Sequence, residues 1–116
     1  MASELLKKKC ESCDGKTKPL TRDEARVYLK DVPSWKLTDD ARGIYREWKI
    51  ENFMAAVTFI DQIAVIAEGE DHHPDIHLTG YRNLRIDLST HAITGLSEND
   101  FIVAAKIDTL PVELKG

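Results

Sequence analysis

Three of the four histidines in the chain, His72, His73 and His77, fall within six residues, and the fourth, His91, stands in the polar cluster Ser89-Thr90-His91. Imidazole is the side chain whose ordinary pKa lies closest to neutrality, so it can give and take protons at working pH. His72-His73 runs directly into Pro74. The residue before a proline is pushed out of the α region, which predicts a bend just past a helix end. Such bends carry functional residues more often than core positions do. His72 and His73 from the bend, and His91 from the end of the strand that follows, would suit general acid–base catalysis on a small polar ring. Glu68 and Asp100 are candidate carboxylates to orient the imidazoles or hold a substrate.

Two other readings of the same residues stand beside this one. His73 with His77, or His72 with Asp75, could ligate a metal. Pro74 interrupts the helix that would place i and i+4 ligands on one face, and no third ligand suggests itself, so no metal is expected. The remaining reading is structural, with imidazoles near a helix C-terminus interacting with its dipole. His77, inside a strand segment, reads as structural or exposed. Spacing alone leaves catalysis and the structural reading open.

The chain has 116 residues and a net charge of −4. That length suits one domain, which can bury a sizeable core without a metal or disulfide. The acidic balance and the lack of a basic stripe argue against nucleic acid as a partner. Lys7-Lys8-Lys9 reads as a solvated run in an N-terminal tail. No apolar run is long enough for a membrane span, and the N-terminus lacks the apolar stretch of a signal peptide. A soluble, cytoplasmic protein is expected. The two cysteines form Cys10-Glu11-Ser12-Cys13. The pair is half of a tetrahedral zinc site, a redox pair or incidental, and it precedes the turn-like Asp14-Gly15-Lys16.

The elements that must position these groups follow from periodicity. Residues 1–20 read as an irregular arm. Thr21-Arg22-Asp23-Glu24 matches a capping box, opening a short helix that ends before Pro33. Trp35–Thr38 and Ile44–Ile50 alternate around the loop Asp39–Gly43 and predict a hairpin. Arg46 breaks the apolar parity, with its stem along the sheet and its head toward water. Residues 52–68 predict a long helix, apolar almost all round and so buried on more than one side, with Gly69 as its C-cap. Its second face should meet another helix or another subunit. Ile76–Thr79 and Leu84–Ser89 are the next strands. Ser97, with Asp100 three residues on, starts a last helix buried through Phe101, Ala104, Ala105 and Ile107. The expected fold is α+β, with a four-stranded antiparallel sheet and three helices on one face, in the order α-β-β-α-β-β-α. Residues 21–110 form a single domain and residues 111–116 a C-terminal tail.

Glu68-x-x-x-His72-His73-Pro74, Leu88-Ser89-Thr90-His91 and Gly95-Leu96-Ser97-x-x-Asp100 together closely resemble the signature of the pterin-4a-carbinolamine dehydratases. The resemblance runs from about Trp35 to Ile107, and the Cys-x-x-Cys arm is similar to bacterial and organellar-type members. It implies loss of water from 4a-hydroxytetrahydropterin to give quinonoid dihydropterin, a step that recycles the pterin cofactor of aromatic amino-acid hydroxylases. It implies catalytic roles for His72, His73 and His91. It further implies pterin contacts from Asp71, Ser89, Thr90 and Ala92, and orienting roles for Glu68 and Asp100. No cofactor is implied, the pterin being substrate. The chain differs from animal members at Ile76, where an aromatic is common. The family's use of the long helix in subunit contact agrees with a homodimer or homotetramer through residues 52–68. A non-catalytic dimeric protein-binding module is the alternative from a different class.

Overall fold

Leu84, Ile86 and Leu88 alternate with Arg85 and Asp87, so one face of their strand is apolar and the other charged. In the computed structural model, which describes residues 2–11 and 17–116, this strand is β4 (Asn83–Leu88). It pairs antiparallel with β2 (Ile44–Lys49) on one side and β3 (Asp75–Thr79) on the other, and β1 (Lys36–Leu37) completes the order β1-β2-β4-β3. The register sets Ile44 against Leu88 and Trp48 against Leu84, so all four side chains enter one core. The opposite face stays polar, with the Arg85 guanidinium 4.0 Å from the Tyr45 ring and bonded to Asp87. The expected four-stranded antiparallel sheet is present.

Helices cover the apolar face. They are α2 (Arg22–Leu29), α3 (Phe53–Glu70) and α4 (Glu98–Asp108), with a further short helix, α1 (Ala2–Leu6). The extra helix corrects the irregular reading of residues 1–20. Leu5 is buried against the core, and α1 packs on α4, so a tertiary contact orders a segment too short to be helical alone. Thr21 caps α2 in the expected reciprocal way, accepting from Glu24 N–H while the Glu24 carboxylate accepts from Thr21 N–H. Cys13 and the Asp14–Lys16 turn lie outside the described residues.

Burial is distributed differently from the sequence expectation. The helix enclosed on all sides is α4, where Asn99 to Ala105 and Ile107 are all buried. It contacts α1, α2 and α3. The long helix α3 buries only a stripe, Ala56, Phe59, Ile63 and Ala67, and leaves Met54 at 70% and Val65 at 74% exposure. Arg46 also departs from expectation. Its head forms an ion pair with Asp108 at 2.6 Å and lies over the Trp48 ring at 4.7 Å. Asp108 accepts from Trp35 Nε1 as well, tying β2, the β1 approach and the end of α4 together. The tail is also engaged, since Ile50 bridges Leu114.

Candidate active site

The bend after α3 is a helix stop whose geometry aims the histidines. α3 runs through Gly69, and the left-handed position falls instead on Asp71, at φ 51°. The Asp71 N–H donates to Glu68 O and the His72 N–H to Ala67 O, the paired bonds of a Schellman stop. Aspartate tolerates this conformation better than most residues. A non-glycine residue held there is a common feature of functional sites. The turn reverses the chain and brings His72 back over the N-terminus of α4.

There the Nε2 of His72 lies 2.7 Å from Asp100 Oδ1. Asp100 is fully buried, and the His72 side chain is only 11% exposed. The other carboxylate oxygen, Oδ2, accepts from Thr90 Oγ1 at 2.9 Å and from Ser97 N–H at 3.0 Å. Thr90 Oγ1 also bonds Ser97 Oγ at 2.7 Å. Asp100 thus joins the bend after α3, the segment after β4 and the start of α4 through one carboxylate. It performs its capping task and its histidine contact at the same time.

Thr90 closes a short loop by a bridge to Gly95, and His91 opens the 3-10 turn His91–Ile93 inside that loop. His72, His73 and His91 line one cleft of about 350 Å³, together with Asp71, Ser89, Thr90 and Ala92. All seven residues expected to touch substrate therefore border the same space. The hydroxyl of Thr90 is already engaged with Asp100 and Ser97, so Thr90 braces the wall from within. Glu68 lies outside the cleft lining, and reaches His73 at 3.3 Å in an exposed contact. His77 stands on the edge strand β3 opposite Arg85, exposed and away from the cleft. No group of three or more His, Cys, Asp or Glu side chains suited to a metal occurs among the described residues.

The remaining wall was not foreseen. It comes from Cys10, Glu11, Glu70 and Asn99. Cys10 N–H donates to Glu70 Oε1 at 2.8 Å. Glu11 and Asn99 exchange bonds, Glu11 N–H to Asn99 Oδ1 at 3.1 Å and Asn99 Nδ2 to Glu11 O at 2.6 Å. Burial pushes the Glu70 carboxyl up, but the Lys106 ammonium bonded to it at 2.7 Å and the Cys10 amide outweigh burial and hold it below its ordinary value. Burial, and then the negative charge of Glu70, push the Cys10 thiol up to about 12. At neutral pH Cys10 is therefore a thiol rather than the more nucleophilic thiolate. The position of Asn99 next to Asp100 was the one available sequence signal. Contacts across 60 or 88 residues leave no trace in local periodicity.

Comparison with known proteins identifies the family. The family model described as pterin 4 alpha carbinolamine dehydratase matches residues 18–110. A protein of Halorhodospira halophila bearing the pterin-4-alpha-carbinolamine dehydratase name is 48% identical over 106 residues, covering 91% of this chain and 96% of its own. The mitochondrial pterin-4-alpha-carbinolamine dehydratase 2 of Arabidopsis thaliana is 43% identical over 96% of this chain and 61% of its own. The crystal structure of a transcriptional coactivator/pterin dehydratase from Brucella melitensis superposes with a TM-score of 0.73 at 32% identity, over 78% of this chain and 96% of that one. A pterin dehydratase-like RuBisCO assembly factor of the α-carboxysome shares the fold, with a TM-score of 0.55 at 22% identity over 65% of this chain and 86% of that one. No helix among the described residues is long and apolar enough to cross a membrane. The chain belongs to the pterin 4 alpha carbinolamine dehydratase family and is a hydro-lyase.

Proposed function

We propose that the cleft dehydrates 4a-hydroxytetrahydropterin by histidine acid–base catalysis and so recycles the pterin cofactor of aromatic amino-acid hydroxylases. The observation that carries this reading is the convergence of His72, His73 and His91 on one cleft, with His72 held by a buried carboxylate. In the reaction the C4a–O bond breaks and N5 loses its proton. The N5 electron pair becomes the N5=C4a double bond, and the hydroxyl leaves as water after gaining a proton. One imidazole supplies that proton and another accepts the one from N5. Oδ2 of Asp100 is occupied by two donors. Its Oδ1 therefore favours the His72 tautomer with hydrogen on Nε2, leaving Nδ1 as the nitrogen that exchanges a proton. Glu68 plays the weaker, exposed counterpart for His73.

Asp71, Ser89 and Ala92 would contact the pterin ring, with Thr90 behind them. No metal, nucleotide or covalent intermediate is required, and the reaction needs no cofactor beyond the substrate itself. Cytoplasmic placement and a homodimer or homotetramer through α3 belong to the same proposal. The exposed Met54 and Val65 support the subunit contact. The test is turnover of 4a-hydroxytetrahydropterin by the wild type and by His72→Ala, His73→Ala and His91→Ala. Losing a general acid or base typically costs about 10²–10⁴-fold in rate. Undiminished rates in all three variants would sink the mechanism.

The Brucella neighbour carries a coactivator name, and the apolar surface of α3 would suit a protein partner. A folded wild type with no pterin turnover, but with stable co-purification of a protein partner, would favour that second reading.

A further inference from the structure

The wall supplied by the N-terminal arm brings charge to the cleft. Glu11, Glu70 and Asp71 all line it. Glu70 is neutralised by Lys106 at 2.7 Å. The carboxylates of Glu11 and Asp71 make no ion pair among the described residues. Of the arm's cations, Lys8 and Lys9 border a neighbouring hollow that Glu11 also lines; Lys8 is bound to Glu98 at 2.9 Å, and the charge of Lys9 is felt by Glu70. Glu11 thus stands on the ridge between the two. Its place there is set by the backbone, through the bonds exchanged with Asn99 and the neighbouring Cys10–Glu70 bond.

We infer that Glu11 is a specificity-determining residue that makes this dehydratase select pterins with a neutral 6-substituent over pterins with an anionic one. The inference rests on the dehydratase reading of the cleft. A pterin presents several N–H donors, which an acidic rim accepts. Its 6-substituent is bonded to the carbon next to N5, so it lies close to the reacting atoms. In a cleft of about 350 Å³ such a group cannot move much farther than one Debye length from Glu11 or Asp71. A carboxylate or phosphate on that substituent meets like charge, and charges at these separations near a surface change affinity by roughly tenfold. Because the arm is clamped by main-chain atoms of Glu11, replacing its side chain leaves the clamp intact.

The experiment measures kcat/KM for two 4a-hydroxytetrahydropterins, one with a 6-methyl group and one with a 6-carboxylate. The proteins are the wild type, Glu11→Gln and Glu11→Lys, at low and high salt. The wild type is expected to prefer the 6-methyl substrate by about tenfold or more at low salt, with the preference shrinking as salt screens it. Glu11→Gln should narrow the ratio by a few-fold. Glu11→Lys should narrow it by about tenfold, through KM of the 6-carboxylate substrate. A wild type that turns over the 6-methyl substrate but shows no salt-sensitive preference overturns the inference alone. So does a ratio unchanged in Glu11→Lys. A wild type that turns over neither substrate overturns the dehydratase reading and this inference with it.

Discussion

Asp100, with no exposed surface, accepts on one oxygen from the Thr90 hydroxyl and from the Ser97 amide at its own helix start, and faces His72 Nε2 at 2.7 Å with the other. A helix-capping residue has thereby become the support of an imidazole 28 positions away. Asp100→Asn tests that support. An amide can keep the volume and accept from Ser97 N–H, but presenting NH2 to His72 forces the other tautomer. The expected outcome is a fall in kcat of about 10²–10⁴-fold with a changed pH–rate profile and a retained far-UV spectrum. A variant with wild-type kcat and an unaltered profile would show that His72 needs no partner.

Thr90 is the second buried support. Its hydroxyl bonds both Asp100 and Ser97, and its residue is only 4% exposed. Thr90→Val keeps the shape but removes the donor, leaving a buried carboxylate oxygen one bond short. The expected destabilisation is about 1–3 kcal/mol. That corresponds to a drop in Tm of several degrees in a chain of this size. Thr90→Ser should recover most of it. Thermal unfolding by circular dichroism reads the effect, and equal Tm values for wild type and Thr90→Val would contradict it.

Much of this was legible in the chain because the local rules agreed with the fold. Strict alternation in Leu84–Leu88 and the Thr21–Glu24 box needed no tertiary information to interpret. The histidine bend was legible because Pro74 forbids continuation of the helix, although the stop falls on Asp71 rather than Gly69. A glycine is favoured in the left-handed position but is not required there. Here the chain stays helical for two residues past Glu68, and Asp71 takes the strained conformation.

What was not legible depended on contacts distant in sequence. The arm reads as tail because α1 is short and Lys-rich downstream, and what orders it is distant in sequence: Leu5 against the core and the bonds of Cys10 to Glu70 and Glu11 to Asn99. Composition made α3 the most apolar helix, yet enclosure belongs to α4, which packs against α1, α2 and α3. Hydrophobicity reports what a surface would accept as a neighbour, while burial in one chain depends on which neighbours that chain has.

The mismatch in α3 makes a prediction of its own. Met54 and Val65 are three helical turns apart on one face and both strongly exposed, with Asp61 between them. If this face meets a second copy, the wild type should elute with the mass of a dimer or tetramer in light-scattering chromatography. Val65→Asp should shift it toward monomer. The same substitution should barely alter the stability of the isolated chain, because exposed positions tolerate change within about 0.5 kcal/mol. A wild type that is monomeric at working concentration would refute the contact.

The docking of the arm has a pH window fixed at both ends by residues of the cleft wall. Burial raises the Glu70 carboxyl, but the Lys106 and Cys10 bonds outweigh it and leave the folded pKa below the ordinary 4.5. Their stabilisation is complete above that value and is lost as pH falls through the depressed folded pKa. Cys10 acts in the opposite direction. Burial and the Glu70 charge raise its folded pKa from 9.0 to about 12, so its contribution is complete below 9.0 and is lost as pH rises toward 12. Amide protection at Cys10 and Glu11, taken relative to the intrinsic exchange rate at each pH, should therefore be high between these limits and fall outside them. Alkylation of Cys10 in a Cys13→Ser background at pH 8 gives an independent reading. The docked thiol should react more slowly than a free cysteine by roughly two orders of magnitude or more. Glu70→Gln removes both the carboxylate bound to Lys106 and the charge that opposes the thiolate. It should loosen the arm and raise the alkylation rate. Reactivity of Cys10 at the free-thiol rate in the Cys13→Ser protein would mean that the arm does not close the cleft in solution.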